Sequence, residues 1–368
     1  MKIKCKKGDL LNGIQRVYNI TTLKTTLPIL SNILIETKKE GVRLTTTDLD
    51  VGIIHDMAVG VEVEGAVTIP AKRFFDIVKE LPQENEVVIS AKKNNIVTIE
   101  CENLFFKLIG LPKEEFPQLP EFKDRDSVVL PQPLLRKMLT MTAFSMSYDQ
   151  TRYILNGVLF IIGPKAVRLV ATDGRRLALI ERELQLPKEC EKNPKRFVAP
   201  AKVVGELLKV LGDEGEVKII LNENQVLFNL GATTIISRLV EGEFPNYEQV
   251  VPKECKEKMK IGKEAFLLAV RRANILTSQE SQAIKLEVGK DRLVVSKITP
   301  ELGESREELT VEYKGPDLVV GFNPNYLIDV LKNLDRGEVA FELASPEKPG
   351  VIRTEDGYTY VVLPMQIT

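Results

Sequence analysis

The chain of 368 residues has no tryptophan, one histidine and four cysteines. Each scarcity excludes something. A single imidazole, His55, leaves no histidine triad and no histidine-based metal cluster. It sits in the strand-like run from Val51 to Val59, where a lone histidine is more often structural than catalytic. Cys5, Cys101, Cys190 and Cys255 lie far apart with no C-x-x-C pair, the pattern of reduced thiols rather than of a disulfide framework or a zinc site. Runs without charge are short, such as residues 157–163, and none nears the roughly 20 residues of a membrane span. The opening residues MKIKCKKGDL are charged and lack the apolar stretch of a secretory signal. The expectation is a cytoplasmic protein with no membrane partner. Net charge is −1, so a nucleic-acid partner requires the cations to be gathered on one surface. No phosphate-binding glycine loop, dinucleotide fingerprint, H-E-x-x-H helix or G-x-S-x-G elbow is present, and no cofactor is implied.

What the chain does have is a repeat. Ile69 to Val78, Ala199 to Leu208 and Phe322 to Leu331 each begin at a Pro- or Asn-marked helix start and continue as an amphipathic run. An acid recurs at the same offset in each: Asp76, Glu206 and Asp329. The unit is roughly 120 to 130 residues long, and the chain holds three copies. Each copy opens with a short alternating strand (Lys2 to Lys7, Ser127 to Leu130, Lys258 to Ile261) and a first helix (Asp9 to Val17, Pro133 to Leu139, Lys263 to Ile275). Strands follow, then the second helix, then more strands. Segments bearing Pro, Leu111 to Pro117 and Leu239 to Tyr247, read as connectors. The fold class is therefore α+β: three tandem domains of two helices packed on largely antiparallel sheet, at 1–121, 126–248 and 250–368. Repeats in line invite edge-to-edge joining of their sheets.

The stretch Ala171 to Leu177, ATDGRRL, joins two apolar runs. Gly174 is suited to a positive φ and Asp173 to bonding its own backbone, so two strands meeting at a turn is the plain reading. Thr47-Asp48 repeats the Thr-Asp corner in the first copy without the arginines; the third copy has no counterpart. An enzyme centred on Asp173, Arg175 and Arg176 is one reading of this corner, and a peptide-binding scaffold without nucleic acid is another. All six helices carry cations: Arg16, Arg136, Lys137, Lys263, Arg271 and Arg272 on the first helices, Lys72, Arg73, Lys79, Lys202, Lys209 and Lys332 on the second. On a slightly acidic chain this fits helices that present cations together, suited to phosphate contact without base readout.

Further motifs carry a resemblance over essentially the whole length. They are Leu27 to Asn32, Thr47-Asp48-Leu49, Ile69 to Ile77, Phe144-Ser145-Met146, Arg152-Tyr153 with Leu155-Asn156-Gly157, Ala171 to Gly174 with Arg176-Leu177, Phe244 to Tyr247 and Tyr360 to Met365. In order and layout these resemble the bacterial DNA sliding clamps, the beta subunits of DNA polymerase III. The resemblance implies a non-catalytic processivity factor, a head-to-tail homodimer closing into a six-domain ring around double-stranded DNA. It implies docking of polymerase and clamp loader through short peptide motifs. The docking cleft maps by similarity to Arg152, Leu155, Thr172, Gly174, Arg175, Arg176, Leu177, Pro245, Val250, Tyr326, Val361, Leu363, Pro364 and Met365, with Arg152 and Arg176 free to meet an acid or a carbonyl. Relatives often have His where Arg175 stands, and Gln366-Ile367-Thr368 departs from their commoner Arg-Leu ending. DNA contacts map to Lys24, Lys72, Gln150 and Tyr153, with Lys202 added from the repeat; Ile154 stands where relatives have a second aromatic. The dimer interface maps to Phe106 and Leu108 facing Ile275 and Leu276.

Overall fold

A computed structural model describes residues 1–21, 26–83, 85–92, 94–123, 127–184, 194–253 and 257–367. Among them are six α-helices: α1 (Lys7–Tyr18), α2 (Ala71–Glu80), α3 (Gln132–Thr142), α4 (Ala201–Val210), α5 (Lys263–Asn274) and α6 (Pro324–Asn333). Each buries one apolar stripe, such as Leu10, Ile14 and Val17 on α1 or Leu327, Val330 and Leu331 on α6. Asn323 caps α6, its side chain accepting from the Asn325 amide at 3.0 Å, with Pro324 in the first turn. None of these helices is long and apolar enough to cross a membrane.

Two of the first helices start earlier than sequence spacing indicates, at Lys7 and Gln132, and the third starts at Lys263 as expected. The amides of Lys7, Gln132 and Lys263 donate to the carbonyls of Asn85, Gly215 and Gly337 at 3.0, 2.9 and 2.9 Å. Each strand-to-helix corner is thus pinned from the far half of its own repeat, a contact local propensity cannot reveal. These corners also fix which residues correspond. Across equivalent strands run the rows Ile89–Ile99–Phe106, Ile219–Phe228–Ile235 and Phe341–Ile352–Tyr360.

The chain divides into two compact units, Met1–Arg136 with Gly205–Leu239, and Lys137–Val204 with Val240–Thr368. The divisions fall inside α3 and α4, because the sheets cross the repeats. In the first unit one antiparallel sheet runs Val128–Pro131, Glu216–Leu221, Gln225–Asn229, Thr233–Arg238, Val51–Met57, Gly41–Thr47, Asn32–Lys38, Ala66–Pro70. Four strands come from the second repeat and four from the first. They join where Thr233–Arg238 pairs with Val51–Met57, Ile235 opposite Ile53. The second unit builds an equivalent sheet from Lys195–Pro200, Gly157–Ile162, Ala166–Thr172 and Arg176–Glu183, continued by Tyr358–Val362, Gly350–Thr354, Glu338–Glu342 and Lys258–Gly262. Its join sets Ala178 opposite Tyr360. Ile53, Ile235, Ala178 and Tyr360 are all fully buried, so each join is a core seam.

Two half-sheets remain. The first unit has Gly60–Val63, Lys2–Lys6, Glu86–Ala91, Ile96–Cys101 and Leu104–Ile109; the second has Gly303–Thr310, Arg292–Thr299, Ile284–Gly289 and Leu318–Phe322. Leu104–Ile109 is the counterpart of the strands Thr233–Arg238 and Tyr358–Val362. Gly303–Thr310 is the counterpart of Val51–Met57 and Arg176–Glu183. Among the described residues both are sheet edges. An unpaired edge with Phe105 62% and Ile109 76% exposed is one that proteins normally cover.

Candidate functional site

The Thr-Asp corner is built as its residues dictate. Asp173 Oδ1 accepts from the Arg175 and Arg176 amides at 2.8 and 3.0 Å, Gly174 N donates to Thr172 Oγ1 at 3.1 Å, and Gly174 takes φ +85°. The first repeat makes the same turn. Asp48 Oδ1 accepts from the Asp50 and Val51 amides at 3.1 and 2.8 Å, and Leu49 carries the positive φ at +80°. The corner is therefore first a strand connector. What the second repeat adds is Gly174 to Leu177, facing the C-terminal strand, where Leu177 lies opposite Val361 and Leu363 N donates to Arg175 O at 2.9 Å.

Between these segments and residues 245–250 lies a cleft of about 180 Å³. Leu155, Thr172, Gly174, Arg175, Arg176, Leu177, Pro245, Val250, Val361 and Leu363 line it, with Asn246 and Tyr247 from the connector. Its floor is continuous with a core of Leu155, Leu177, Val361, Phe244 and Tyr247, while Val250 and Leu363 stand 57% and 43% exposed at its mouth. The connector wall is held by Arg168. Its guanidinium donates to Glu181 Oε2 at 2.5 Å, the Tyr247 hydroxyl at 2.9 Å and Glu248 Oε1 at 3.1 Å. A small apolar floor with a polar rim suits a short peptide with apolar anchors.

Four expected lining residues stand outside the cavity. Arg152 Nη1 donates to Asp173 O at 3.2 Å and lies over Gly174, so it borders the corner from behind. The amide of Met365 donates to Gly321 O at 2.8 Å, which carries Met365 onto the strand Leu318–Phe322, with Pro364 leading to it. The Tyr326 ring lies 4.5 Å from the Arg176 guanidinium, beneath the corner. Arg176 also differs from expectation. Only 10% of its side chain is exposed, and it donates to Asp173 Oδ2 at 3.1 Å, Asp329 Oδ2 at 2.6 Å and Phe144 O at 2.5 Å. Burial opposes its charge but is outweighed by Tyr360, Asp329 and Asp173, so its pKa lies above the ordinary arginine value. Its donors face inward, and Arg175 is the exposed cation of the rim, with no ion-pair partner among the described residues.

Of the residues expected to meet DNA, Lys24 lies outside the described residues. Lys72 and Lys202 are exposed and occupy the same second position of α2 and α4. Gln150 and Tyr153 share the short 3-10 segment Gln150–Leu155, both exposed. Tyr148, 76% exposed just before it, is a further exposed aromatic that no sequence motif marks. Several helix-borne cations are paired: Arg136 with Asp213 at 2.6 Å, Lys137 with Asp335 at 3.2 Å, Lys209 with Glu206 at 2.7 Å and Arg272 with Glu307 at 2.5 Å. Phe106 and Leu108 are part-buried on the open edge, Ile275 is 75% exposed and Leu276 is part-buried.

Comparison with known proteins agrees along the whole chain. Family models for the N-terminal, central and C-terminal domains of the DNA polymerase III beta subunit match residues 1–120, 129–246 and 248–366. The beta sliding clamp of Chlamydia pneumoniae is 31% identical, with 100% of this chain and 99% of that protein covered, and that of Escherichia coli is 31% identical with both fully covered. Among solved structures, a sliding clamp from Bartonella birtlesii bound to griselimycin superposes with a TM-score of 0.94 at 32% identity, and the Bacillus subtilis clamp with 0.94 at 30%, each covering 100% of both chains. These relatives are non-catalytic processivity factors. With its three tandem α+β units, the chain belongs to the DNA polymerase III beta subunit family, the bacterial sliding clamps.

Proposed function

We propose that two copies of this chain close head to tail around duplex DNA in the cytoplasm, and that the cleft tethers polymerase and clamp loader by short peptides. The observation that carries this is the pair of open edges. Two seams within the chain each join four strands to four, and Leu104–Ile109 and Gly303–Thr310 are the two strands of a third such seam without their mates. A second copy supplies both mates, and doing so twice closes the assembly with neither of these two strands left unpaired. Phe106 and Leu108 support the same reading. Their counterparts Ile235 and Tyr360, and Ser237 and Val362, are at most 1% exposed. Counted from the helix corners, Ile275 corresponds to Phe144, whose ring lies 5.8 Å from that of Tyr360. Ile275 against Phe106 of the other copy repeats that contact.

Encirclement needs no base readout. Exposed Lys72, Lys202, Gln150 and Tyr153, with Lys24, contact the duplex in this reading, through phosphate attraction and one aromatic face. Such contacts are weak and salt-sensitive, which permits sliding. The docking surface comprises Leu177, Val250, Val361 and Leu363 as apolar anchors, with Arg175 at the rim. The decisive experiment loads the protein onto nicked circular DNA and then linearises it. Retention on the circle and loss from the linear form is the expected result; equal retention on both refutes encirclement.

A further inference from the structure

We infer that Asp76 is the acid of the third seam and that its partner is Arg271 of a second copy of this chain. The inference rests on the closed-dimer reading. An acid stands at the sixth position of the second helix in every repeat: Asp76 in α2, Glu206 in α4, Asp329 in α6. In the second and third repeats the preceding repeat engages it. Glu206, 5% exposed, accepts from Asn19 Nδ2 at 3.4 Å just past α1 and lines a polar cavity of about 270 Å³ with Gln15 and Arg16. Asp329 accepts from Arg176 at 2.6 Å. Asp76 is exposed on α2, with no hydrogen bond or ion pair among the described residues.

The open edge of the repeat that carries α2 is Leu104–Ile109, and the edge of complementary type is Gly303–Thr310, in the third repeat. The group that meets Asp76 therefore comes from α5 of another copy. Because α1 and α5 begin at equivalent pinned corners, Asn12, Gln15, Arg16 and Asn19 correspond to Leu268, Arg271, Arg272 and Ile275. Arg272 is held by Glu307 at 2.5 Å. Arg271 is exposed and has no ion-pair partner among the described residues, and the position that corresponds to it on α1 holds the amide Gln15, in the cavity with Glu206. Leu268 and Ile275, 38% and 75% exposed, flank it on the same face. The pair also rejects the wrong assembly. Two copies meeting α5 to α5 oppose Arg271 with Arg271, so attraction arises only in the head-to-tail arrangement.

The test is sedimentation velocity over a dilution series of the full chain in 0.1 M salt, for wild type, Asp76→Arg, Arg271→Asp and the double variant. An exposed pair contributes about threefold per seam, and dissociation breaks two seams, so each single reversal is expected to raise the dimer dissociation constant about tenfold or more. The double variant should return to within about threefold of wild type. Asp76→Asn and Arg271→Gln, which keep size and remove charge, should each give about tenfold and serve if a reversal impairs folding. Singles without effect, or a double variant no better than the worse single, overturn the pairing while the dimer stands. A wild-type chain that is monomeric at micromolar concentration overturns the closed-dimer reading itself.

Discussion

A guanidinium carries five N–H donors in a fixed fork, enough to satisfy two carboxylates and a carbonyl at once, and Arg176 does so with Asp173, Asp329 and Phe144. Its role is to hold the ATDGRRL corner. Arg176→Ala leaves two carboxylates without their counter-ion, one of them only 18% exposed, and should lower the unfolding free energy by about 2–3 kcal/mol, read from urea denaturation. Arg176→Lys should recover little, since an ammonium cannot fork. The sequence placed this residue at the right corner but not its direction, because Asp329 lies 153 positions away and nothing local announces it. His55 shows the same limit. Its Nδ1 lies 2.9 Å from the Thr233 hydroxyl, and burial, then Arg16, hold its pKa below the ordinary value. The unfolded chain therefore takes up the proton more readily. The stability that His55 lends is complete above its unfolded pKa of about 6.5 and is lost as pH falls through the folded value. A His55→Gln variant should show a shallower loss of stability on acidification below about pH 6.5, followed by thermal melts across pH.

Elements were legible where chemistry is local. The Asx turn, the proline- and asparagine-marked helix starts and the apolar stripes could all be read without a structure, whereas the cleft lining is implied only by the family resemblance. Asn246 and Tyr247 of the connector wall could not be read as lining, and Tyr247 is tied to Arg168, 79 positions away in sequence. The edge strand Gly303–Thr310, GESREELT, was equally hidden, since it has no apolar alternation to read. Within the cleft the elements separate recognition from stability. Leu177 and Val361 belong to the core, and truncating them tests both properties together. Leu363 stands at the mouth, 43% exposed. Leu363→Ala should weaken a partner peptide about fivefold or more by fluorescence anisotropy, and shift the melting temperature little.

At the scale of the whole molecule the sheets set the logic. The repeat was legible from three helix starts, and so was edge-to-edge joining of its sheets, but not which strands make the two joins within the chain, because strand pairing across a seam leaves no mark at any fixed sequence spacing. Phe106 stands where Ile235 and Tyr360 are fully buried. Phe106→Asp should abolish the dimer in gel filtration while far-UV circular dichroism is unchanged, since the residue is only part-buried in the single chain. A different consequence follows for anyone dissecting the protein. The second repeat gives four strands to each unit and owns neither sheet. Excised at its connectors, it would carry two raw edges, Arg176–Glu183 and Thr233–Arg238, with Leu177, Ala178, Ile180, Ile235 and Ile236 stripped of cover. Such a fragment should aggregate. Useful cuts respect the shared sheets, and a protease acting on native protein should yield pieces that are not single repeats.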